Sequence, residues 1–223
     1  MQKQWADLQW RDGGVPASTR FDDPYFSLDN GLAETRHVFL AGNDLPDRFQ
    51  DGFHIAELGF GSGLNLLVSL KAWRDAGASG VLQYTTFEAY PMRAAEMTRA
   101  LAAFPELEDM AQELAPHWEG GETSFSLPDL QFTLIEGDAR QTLPEWRGQA
   151  DAWFLDGFSP AKNPELWGAP LMADVGAHTV PSGTVATYTA AGFVRRGLQS
   201  AGFEVTRIPG YGRKRHMTIG RKG

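Results

Sequence analysis

A glycine-rich segment carries the strongest chemical signal in this sequence. Residues 57–63 read Glu-Leu-Gly-Phe-Gly-Ser-Gly and lie between a short apolar run at 53–58 and a helical pattern. Glycines permit a tight turn and let backbone N–H groups approach a ligand closely, because no Cβ stands in the way. Since the spacing is not the G-x-G-x-x-G of dinucleotide sites, a nicotinamide dehydrogenase is disfavoured. The segment predicts a nucleoside cofactor without a pyrophosphate, namely S-adenosylmethionine; a tight turn without a ligand is the alternative.

Three acidic residues stand at the ends of successive predicted strands. Glu57 and Glu88 close the first two, and Asp138 follows the third. In an open parallel sheet, ligands bind at the carboxyl ends of the strands. We therefore predict that Glu57 holds the ammonium end of the cofactor, directly or through water, that Glu88 accepts the ribose hydroxyls, and that Asp138 binds the adenine amino group. Each acid alone is also explained as a helix N-cap, whereas three in series favour a site.

A fourth acidic residue, Asp156, ends the next predicted strand at 151–155. A carboxylate here suits an amine acceptor. An alkylamine has a pKa of ~10.4, so at pH 7 nearly all of it is protonated and lacks the lone pair that attacks a methyl group. Asp156 is predicted to orient the amine and to help remove its proton. Phe158 is predicted to stack on adenine or on a substrate base. The alternative is structural, with Asp156 capping a turn and Phe158 packing in the core.

Composition narrows the class of protein. The chain has 223 residues, of which 42% are hydrophobic and 22% charged, and this suits one folded domain with its own core. No apolar run approaches the ~20 residues that cross a membrane, and the N-terminus lacks the apolar stretch of a secretory signal. The chain contains no cysteine, and its five histidines are scattered without a metal-ligand spacing. We expect a cytoplasmic protein that binds neither metal nor membrane.

The charge of the chain is unevenly distributed. Its net charge is −8, yet from Arg195 onward there are eight Lys and Arg residues and one acid, Glu204. The rest of the chain holds 12 basic and 27 acidic residues. Because the basic residues alternate with strand-like sequence, we expect a folded positive face that attracts phosphates, a solvated tail being the alternative.

Seven short apolar runs predict strands, and helical spacing fills most of the intervals between them. The runs are 53–58, 82–88, 131–135, 151–155, 184–188, 203–208 and 216–220. This alternation predicts an α/β fold with a mostly parallel seven-stranded sheet, covered on both faces. Only a turn-rich loop separates the last two runs, so we expect an antiparallel C-terminal hairpin. This is the arrangement of a Rossmann-like class I S-adenosylmethionine methyltransferase. Residues 1–50 lack regular periodicity and are predicted to form an extension packed on a methyltransferase domain of residues 51–223.

Several longer motifs resemble the methyltransferase domain of the MnmC family, the tRNA 5-methylaminomethyl-2-thiouridine methyltransferases. They cover the chain from about residue 20 to its end, at 21–26, 29–36, 59–65, 151–164, 190–198 and 210–215. The resemblance implies N-methylation of the 5-aminomethyl group of a wobble uridine in tRNA, with S-adenosylmethionine as donor. It also implies recognition of the anticodon loop.

Together, the residues and the resemblance define two predicted sets of site residues. The cofactor set is Glu57, Gly59, Phe60, Gly61, Gly63, Asn65, Glu88, Ala89, Asp138, Ala139, Asp156 and Phe158, with Asp156 also catalytic. The tRNA set is Tyr25, Phe26, Asn30, Glu34, Lys162, Arg195, Arg196, Arg213, Lys214 and Arg215. Packing of the N-terminal extension on the sheet is the alternative role for the first four residues of the tRNA set.

The chain departs from the bifunctional members of the family, which continue into a flavin-dependent oxidase domain. This sequence ends at Gly223, and its glycine segment is assigned to the methyl donor, so we predict no FAD site. Either the chain is a stand-alone methyltransferase served by a separate oxidase or another wobble-modification enzyme, or it is part of a longer protein. Two other functions stay open at this point, an N-methyltransferase of a small-molecule or protein amine and a non-catalytic nucleotide-binding module.

Overall fold

The computed structural model describes residues 4–27 and 30–223. Residues 1–3 of the predicted extension and Asp29 of the 29–36 motif therefore lie outside the described residues. The strands are β1 Leu8–Trp10, β2 Pro16–Ser18, β3 Asp23–Pro24, β4 His54–Leu58, β5 Leu82–Glu88, β6 Ser124–Leu127, β7 Leu130–Glu136, β8 Ala150–Leu155, β9 Thr179–Thr187, β10 Phe203–Pro209 and β11 His216–Lys222. The α-helices are α1 Gly31–Thr35, α2 Leu64–Asp75, α3 Ala94–Leu101, α4 Glu108–Glu119, α5 Ala139–Thr142, α6 Ala169–Ala177 and α7 Gly192–Ser200. A π-helical turn covers Arg36–Leu40, and 3-10 turns cover Asp12–Gly14, Ala41–Asn43, Pro105–Leu107, Leu143–Glu145 and Pro164–Trp167.

The central sheet has eight strands among the described residues, in the order β10-β11-β9-β8-β4-β5-β7-β6. The five inner strands from β9 to β7 run parallel. The antiparallel pairing of β10 with β11 confirms the predicted C-terminal hairpin. The predicted count of seven strands was wrong by one, because β6 was missed. Its sequence, Ser-Phe-Ser-Leu, is short and half polar, which is typical of an edge strand and gives a weak pattern.

Helices cover both faces of this sheet, as the alternating pattern predicted. One buried apolar cluster joins one face to α2, α3, α4 and residues 38–45. A second cluster joins the opposite face to α5, α6 and α7. The helical spacing of α2 explains its place, since Leu66, Leu67, Leu70 and Trp73 are all buried on the sheet.

The N-terminal residues form a small sheet of their own, in the order β1-β2-β3. The backbone N–H of Ala6 donates to the carbonyl of Pro91 at 3.0 Å and ties this sheet to the loop after β5. The chain then passes through α1 and the π-helical turn, whose buried residues Val38, Phe39 and Leu40 join the first apolar cluster. The division into an extension of residues 1–50 and a domain of residues 51–223 stays a prediction.

Phe39 anchors the π-helical turn to the sheet. Its ring is 3% exposed and lies 5.2 Å from the ring of Phe154 on β8, with the two planes 24° apart. We expect Phe39→Ala to lower the free energy of unfolding by about 3–5 kcal/mol, because truncation of a buried Phe loses packing and leaves a cavity. The matched control is Phe193→Ala on α7, where the ring is 42% exposed and we expect a change under about 0.5 kcal/mol. Urea unfolding measures both, and equal losses would contradict the assignment of Phe39 to the core.

Candidate active site

A cavity of about 450 Å³ opens at the carboxyl ends of the parallel strands. Its walls come from the loops after β4, β5, β7, β8 and β9, from residues 20–27 and α1, and from Lys214 in the β10–β11 turn. This is the edge at which open α/β sheets bind ligands, and the volume lies within the usual range for small-molecule sites.

The glycine segment forms the floor between β4 and α2. Gly59 has φ +85°, and a Cβ built there would lie 3.0 Å from the backbone nitrogen and Cα of Gly157 in the loop after β8. Gly61 has φ +55°, and a Cβ there would lie 3.0 Å from the ring of Tyr25. Both positions therefore require glycine for backbone conformation and for close approach.

Asn65, on the first turn of α2, connects two carboxylates. Its Nδ2 group donates to Glu57 Oε1 and to Asp156 Oδ2, both at 2.8 Å. Its Oδ1 atom accepts a hydrogen bond from the Thr35 hydroxyl of α1 at 3.1 Å. One buried amide thus holds together the ends of β4 and β8 and the helix that follows the N-terminal sheet.

Glu57 lies beneath the cavity wall and is fully buried. Its second oxygen accepts from the Thr86 hydroxyl at 2.8 Å. Burial, together with the neighbouring charge of Asp156, raises the pKa of Glu57 to about 8. The predicted contact of Glu57 with a cofactor ammonium is therefore not direct in this geometry, because Asn65 stands between Glu57 and the cavity.

Asp156 does line the cavity. Besides the bond from Asn65, its Oδ1 atom accepts the backbone N–H of Gly157 at 2.8 Å. Burial raises the pKa of Asp156 from its ordinary value of 3.8 to about 6. The carboxylate is therefore ionised above about pH 6, yet it can take up a proton near neutrality.

Glu88 and Asp138 line the same cavity on the far side of β4. Glu88 accepts the backbone N–H groups of Tyr90 at 2.8 Å and of Gly61 at 3.1 Å, and it thereby ties two loops together. Asp138 caps α5 through the backbone N–H of Arg140, and it also pairs with the Arg140 guanidinium. The helix-cap alternative is thus realised for Asp138, while its carboxylate still faces the cavity.

Aromatic side chains of the N-terminal segment cover Phe158. The ring of Phe21 stacks on Phe158 at 4.7 Å, and Tyr25 meets it edge-on at 5.0 Å. Two polar contacts hold the segment over the loop after β8. Asp23 accepts the backbone N–H of Ser159 at 2.8 Å, and the Asp22 carboxylate pairs with Lys162 at 2.8 Å.

The structure brings most of the predicted site residues together. Those that line the cavity are Tyr25, Phe26, Glu34, Gly59, Phe60, Gly61, Asn65, Glu88, Ala89, Asp138, Ala139, Asp156, Phe158 and Lys214. Those that lie outside its lining are Asn30, Glu57, Gly63, Lys162, Arg195, Arg196, Arg213 and Arg215. Asn30 caps α1 by accepting the backbone N–H of Ala33.

The predicted phosphate-binding residues lie near the mouth of the cavity. Arg195 and Arg196 are in the first half of α7, which follows the carboxyl end of β9. Arg213 and Arg215 are exposed in the turn between β10 and β11, and β10 ends at the same edge of the sheet. Arg221, by contrast, pairs in register with Thr184 of β9, which lies opposite the amino-terminal part of β8, so Arg221 lies toward the opposite edge of the sheet.

Tyr188 is a cavity residue that the sequence analysis did not select. It directly follows β9, and its O–H donates to the carbonyl of Gly157 at 2.8 Å. Burial raises the pKa of Tyr188, so its hydroxyl stays neutral at physiological pH. The sequence feature that could have indicated Tyr188 is its position as an aromatic residue at the end of the predicted strand 184–188. Arg20, Tyr90 and Arg140 also line the cavity without having been predicted.

The described residues form neither a metal-binding cluster nor a membrane-spanning helix. Between residues 4 and 223, apart from residues 28 and 29, no group of three or more His, Asp or Glu side chains converges as a metal site would require. No helix in that part of the chain is both long and apolar enough to cross a membrane.

Comparison with known proteins identifies relatives of this chain. A family described as S-adenosyl-L-methionine-dependent methyltransferase matches residues 105–223, which is more than half of the chain. The tRNA 5-methylaminomethyl-2-thiouridine biosynthesis bifunctional protein MnmC of Caulobacter vibrioides is 49% identical over 216 residues, covering 93% of this chain and 36% of that protein. The protein of the same name from Pseudomonas aeruginosa is 46% identical and covers 97% of this chain and 35% of its own length.

These relatives confirm the resemblance to the methyltransferase part of MnmC. The chain spans about a third of the length of the curated relatives that it matches. Among solved structures, MNMC2 from Aquifex aeolicus superposes with a TM-score of 0.77 at 24% identity, over 98% of this chain and 71% of that one. That similarity confirms the predicted α/β fold with a mostly parallel sheet.

The close approach at Gly59 gives a direct test of the site. We expect Gly59→Ala to weaken S-adenosylmethionine binding by about tenfold or more, because the new Cβ pushes apart the loops after β4 and β8. The matched control is Gly77→Ala, which has a similar positive φ of +62° but no atom within 4 Å of the added Cβ. Calorimetric titration measures both affinities. If the Gly59→Ala protein binds S-adenosylmethionine as tightly as the Gly77→Ala protein does, the glycine segment is not part of the binding site.

Proposed function

The chain belongs to the S-adenosyl-L-methionine-dependent methyltransferase family, and we propose that it methylates the nitrogen of the 5-aminomethyl group on a wobble uridine of tRNA. The product is 5-methylaminomethyluridine or its 2-thio form. The observation that carries this proposal is Asp156, a carboxylate at the end of β8 that faces the cavity and is held there by Asn65. The relatives' name, which refers to 5-methylaminomethyl-2-thiouridine biosynthesis, supports the choice of acceptor.

The residues of the cavity fit the cofactor. The backbone at Gly59 and Gly61 lines the cavity, and the absence of a Cβ at both positions lets this segment pack closely against Gly157 and Tyr25. Glu88 lines the cavity beside this segment, and its carboxylate, which accepts the backbone N–H groups of Gly61 and Tyr90, is the group we assign to the ribose hydroxyls. Asp138 and Ala139 follow β7, the neighbour of β5, and are assigned to the adenine. Asn65 Oδ1 accepts one hydrogen bond from Thr35 and has a second acceptor position for the ammonium end of the cofactor.

Asp156 prepares the acceptor. When bound, S-adenosylmethionine supplies a methyl group on a sulfonium that is open to in-line attack by nitrogen. The substrate amine must first lose a proton, and the Asp156 carboxylate is the base that lies at this point of the cavity. Because burial raises its pKa to about 6, it accepts a proton more readily than an ordinary aspartate does. Asn65 and the Gly157 N–H keep its two oxygens in place.

The basic residues around the mouth suit an RNA backbone. Arg195, Arg196, Arg213 and Arg215 all lie near the edge of the sheet where the cavity opens. The rest of the chain is strongly acidic, so phosphates are attracted to this edge and repelled elsewhere. Tyr25 and Phe26, in the cavity wall, offer rings on which an unstacked base of an anticodon loop can lie. Lys162 acts from outside the cavity by pairing with Asp22 of the covering segment, and Asn30 acts by capping α1.

We propose that residues 1–50 are an extension which closes the site of a methyltransferase domain at residues 51–223. The aminomethyl substrate is supplied by a separate oxidase or another wobble-modification enzyme, or by a further domain. A tRNA substrate is consistent with a cytoplasmic enzyme.

The proposed reaction is tested by incubating the protein with methyl-labelled S-adenosylmethionine and tRNA from a strain that lacks this methylation. We expect label in tRNA and conversion of its 5-aminomethyl nucleoside to the 5-methylaminomethyl nucleoside, read by nucleoside mass analysis. The control is tRNA whose wobble uridine has no aminomethyl group, which should stay unlabelled. Label that appears only in small-molecule or protein amines would establish the alternative N-methyltransferase and refute the tRNA assignment.

The Asp156→Asn variant tests whether the Asp156 carboxylate is the base that accepts the proton of the substrate amine. We expect kcat to fall by about 10²–10⁴-fold, the usual contribution of a positioned base, with S-adenosylmethionine affinity changed far less. The sign of the pH dependence follows from the raised pKa, since the carboxylate is ionised only above about pH 6. The wild-type kcat/KM for S-adenosylmethionine should therefore fall as pH drops through about 6, and the Asn variant should lack this inflection. A variant with full turnover and an unchanged profile would exclude Asp156 from the reaction.

A further inference from the structure

The cavity already contains a bound cation, which is the protein's own. The Lys214 ammonium lies 2.8 Å from Glu34 Oε1 and 3.9 Å from the centre of the Tyr188 ring. All three residues line the cavity, and the Glu34 side chain is only 14% exposed. The Lys214 ammonium thus contacts both a carboxylate and an aromatic ring face, which are the two kinds of group that bind alkylammonium ions in proteins.

Two of these three residues are held in place by other contacts. The Tyr188 hydroxyl donates to the Gly157 carbonyl, which fixes the ring beside the loop that carries Asp156. Glu34 lies on α1, whose next residue, Thr35, donates to Asn65. Lys214, in contrast, has a flexible four-carbon side chain that is 44% exposed in the turn between β10 and β11. The anionic and aromatic walls are therefore preformed, whereas the cation can leave.

The cluster lies on the acceptor side of the cavity. Glu88 and Asp138, assigned to the nucleoside of the cofactor, follow β5 and β7 on one side of β4. Tyr188 follows β9, which lies on the other side of β4 and next to β8, and Asp156 directly follows β8. An acceptor that meets the methyl group beside Asp156 must therefore place its amine close to this cluster.

We propose that Glu34 and Tyr188 recognise the protonated aminomethyl group of the substrate, and that Lys214 occupies this subsite until the substrate displaces it. The inference rests on the proposed function and names the groups that select a charged amine. The incoming ammonium makes the same ion pair and the same ring contact that Lys214 makes in the free protein. It then lies beside Asp156, which takes one of its protons before transfer.

The Lys214 ammonium also stabilises the subsite when no substrate is bound. A lone Glu34 facing an aromatic wall would carry an unpaired charge, which is unfavourable when it is screened from water. Lys214 supplies the missing partner. The substrate therefore exchanges one ion pair for another, and the displaced Lys214 ammonium becomes available to a phosphate of the same RNA.

The experiment measures preference for the charged group. Protein saturated with S-adenosylhomocysteine is titrated with two anticodon stem-loop RNAs that carry 5-aminomethyluridine or uncharged 5-hydroxymethyluridine at the wobble position. We expect the wild type to bind the amine RNA about tenfold more tightly. Glu34→Gln and Tyr188→Leu should reduce or abolish this preference. Lys214→Met should keep or increase it, because the competing cation is gone.

Two controls distinguish an amine subsite from a cofactor contact or a general charge effect. Glu113→Gln removes a carboxylate that pairs with Arg74 away from the cavity, and it should leave the preference intact. Calorimetry with S-adenosylhomocysteine should show unchanged affinity in Glu34→Gln. If that affinity falls while the RNA preference persists, the pair holds the amino-acid end of the cofactor and the proposal is overturned.

The two proposals fail in different ways. A wild-type protein that transfers no methyl group to aminomethyl tRNA refutes the proposed function and this inference with it. A wild-type protein that methylates the tRNA, together with a Glu34→Gln variant that still prefers the amine RNA tenfold, refutes the amine subsite alone. Loss of preference in Lys214→Met would show that Lys214 assists the amine rather than standing in for it, and would overturn the displacement step.

Discussion

The site depends on one amide that holds two buried carboxylates close together. Glu57 and Asp156 end neighbouring strands, and two such charges in a low-dielectric interior repel each other. Asn65 donates one hydrogen bond to each of them and accepts one from Thr35. Because an amide nitrogen has two donor hydrogens, this residue type satisfies both carboxylates at once, which serine or threonine cannot do. Burial raises the pKa of Asp156 to about 6, and the hydrogen bond from Asn65 opposes this rise by stabilising the ionised form.

The second constraint is the cover over the cavity. Residues 20–27 leave the small N-terminal sheet and lie across the loop after β8, where Asp22 and Asp23 contact Lys162 and Ser159. The rings of Phe21 and Tyr25 close on Phe158. The segment thereby covers one side of the site, and hydrogen bonds and ion pairs in such an enclosed environment are stronger than in water. The arrangement suits a reaction that requires an amine to lose its proton next to a sulfonium.

Prediction from sequence succeeded where the signal is local. Strand runs, the glycine segment and the acids at strand ends placed Glu88, Asp138 and Asp156 correctly around one cavity, because the carboxyl ends of parallel strands must meet at one edge. The sequence did not predict β6, because this strand has only four residues, half of them polar, and shows no clear apolar run. It also could not foresee that Glu57 lies behind Asn65, since side-chain layering depends on how α2 packs onto β4 and β8.

The sequence by itself determined the fold class, the order of seven of the eight strands of the central sheet along the chain, and the presence of a nucleoside site, because each depends on periodicity or on residues adjacent in the chain. Only the tertiary structure decided the partners of the cations in the basic C-terminal region. Lys214 turns into the cavity toward Glu34 and Tyr188, whereas Arg221, near the end of the same chain segment, lies at the opposite edge and pairs with Asp44. Contacts across more than a hundred residues arise from the pairing of strands, and no local pattern in the sequence encodes them.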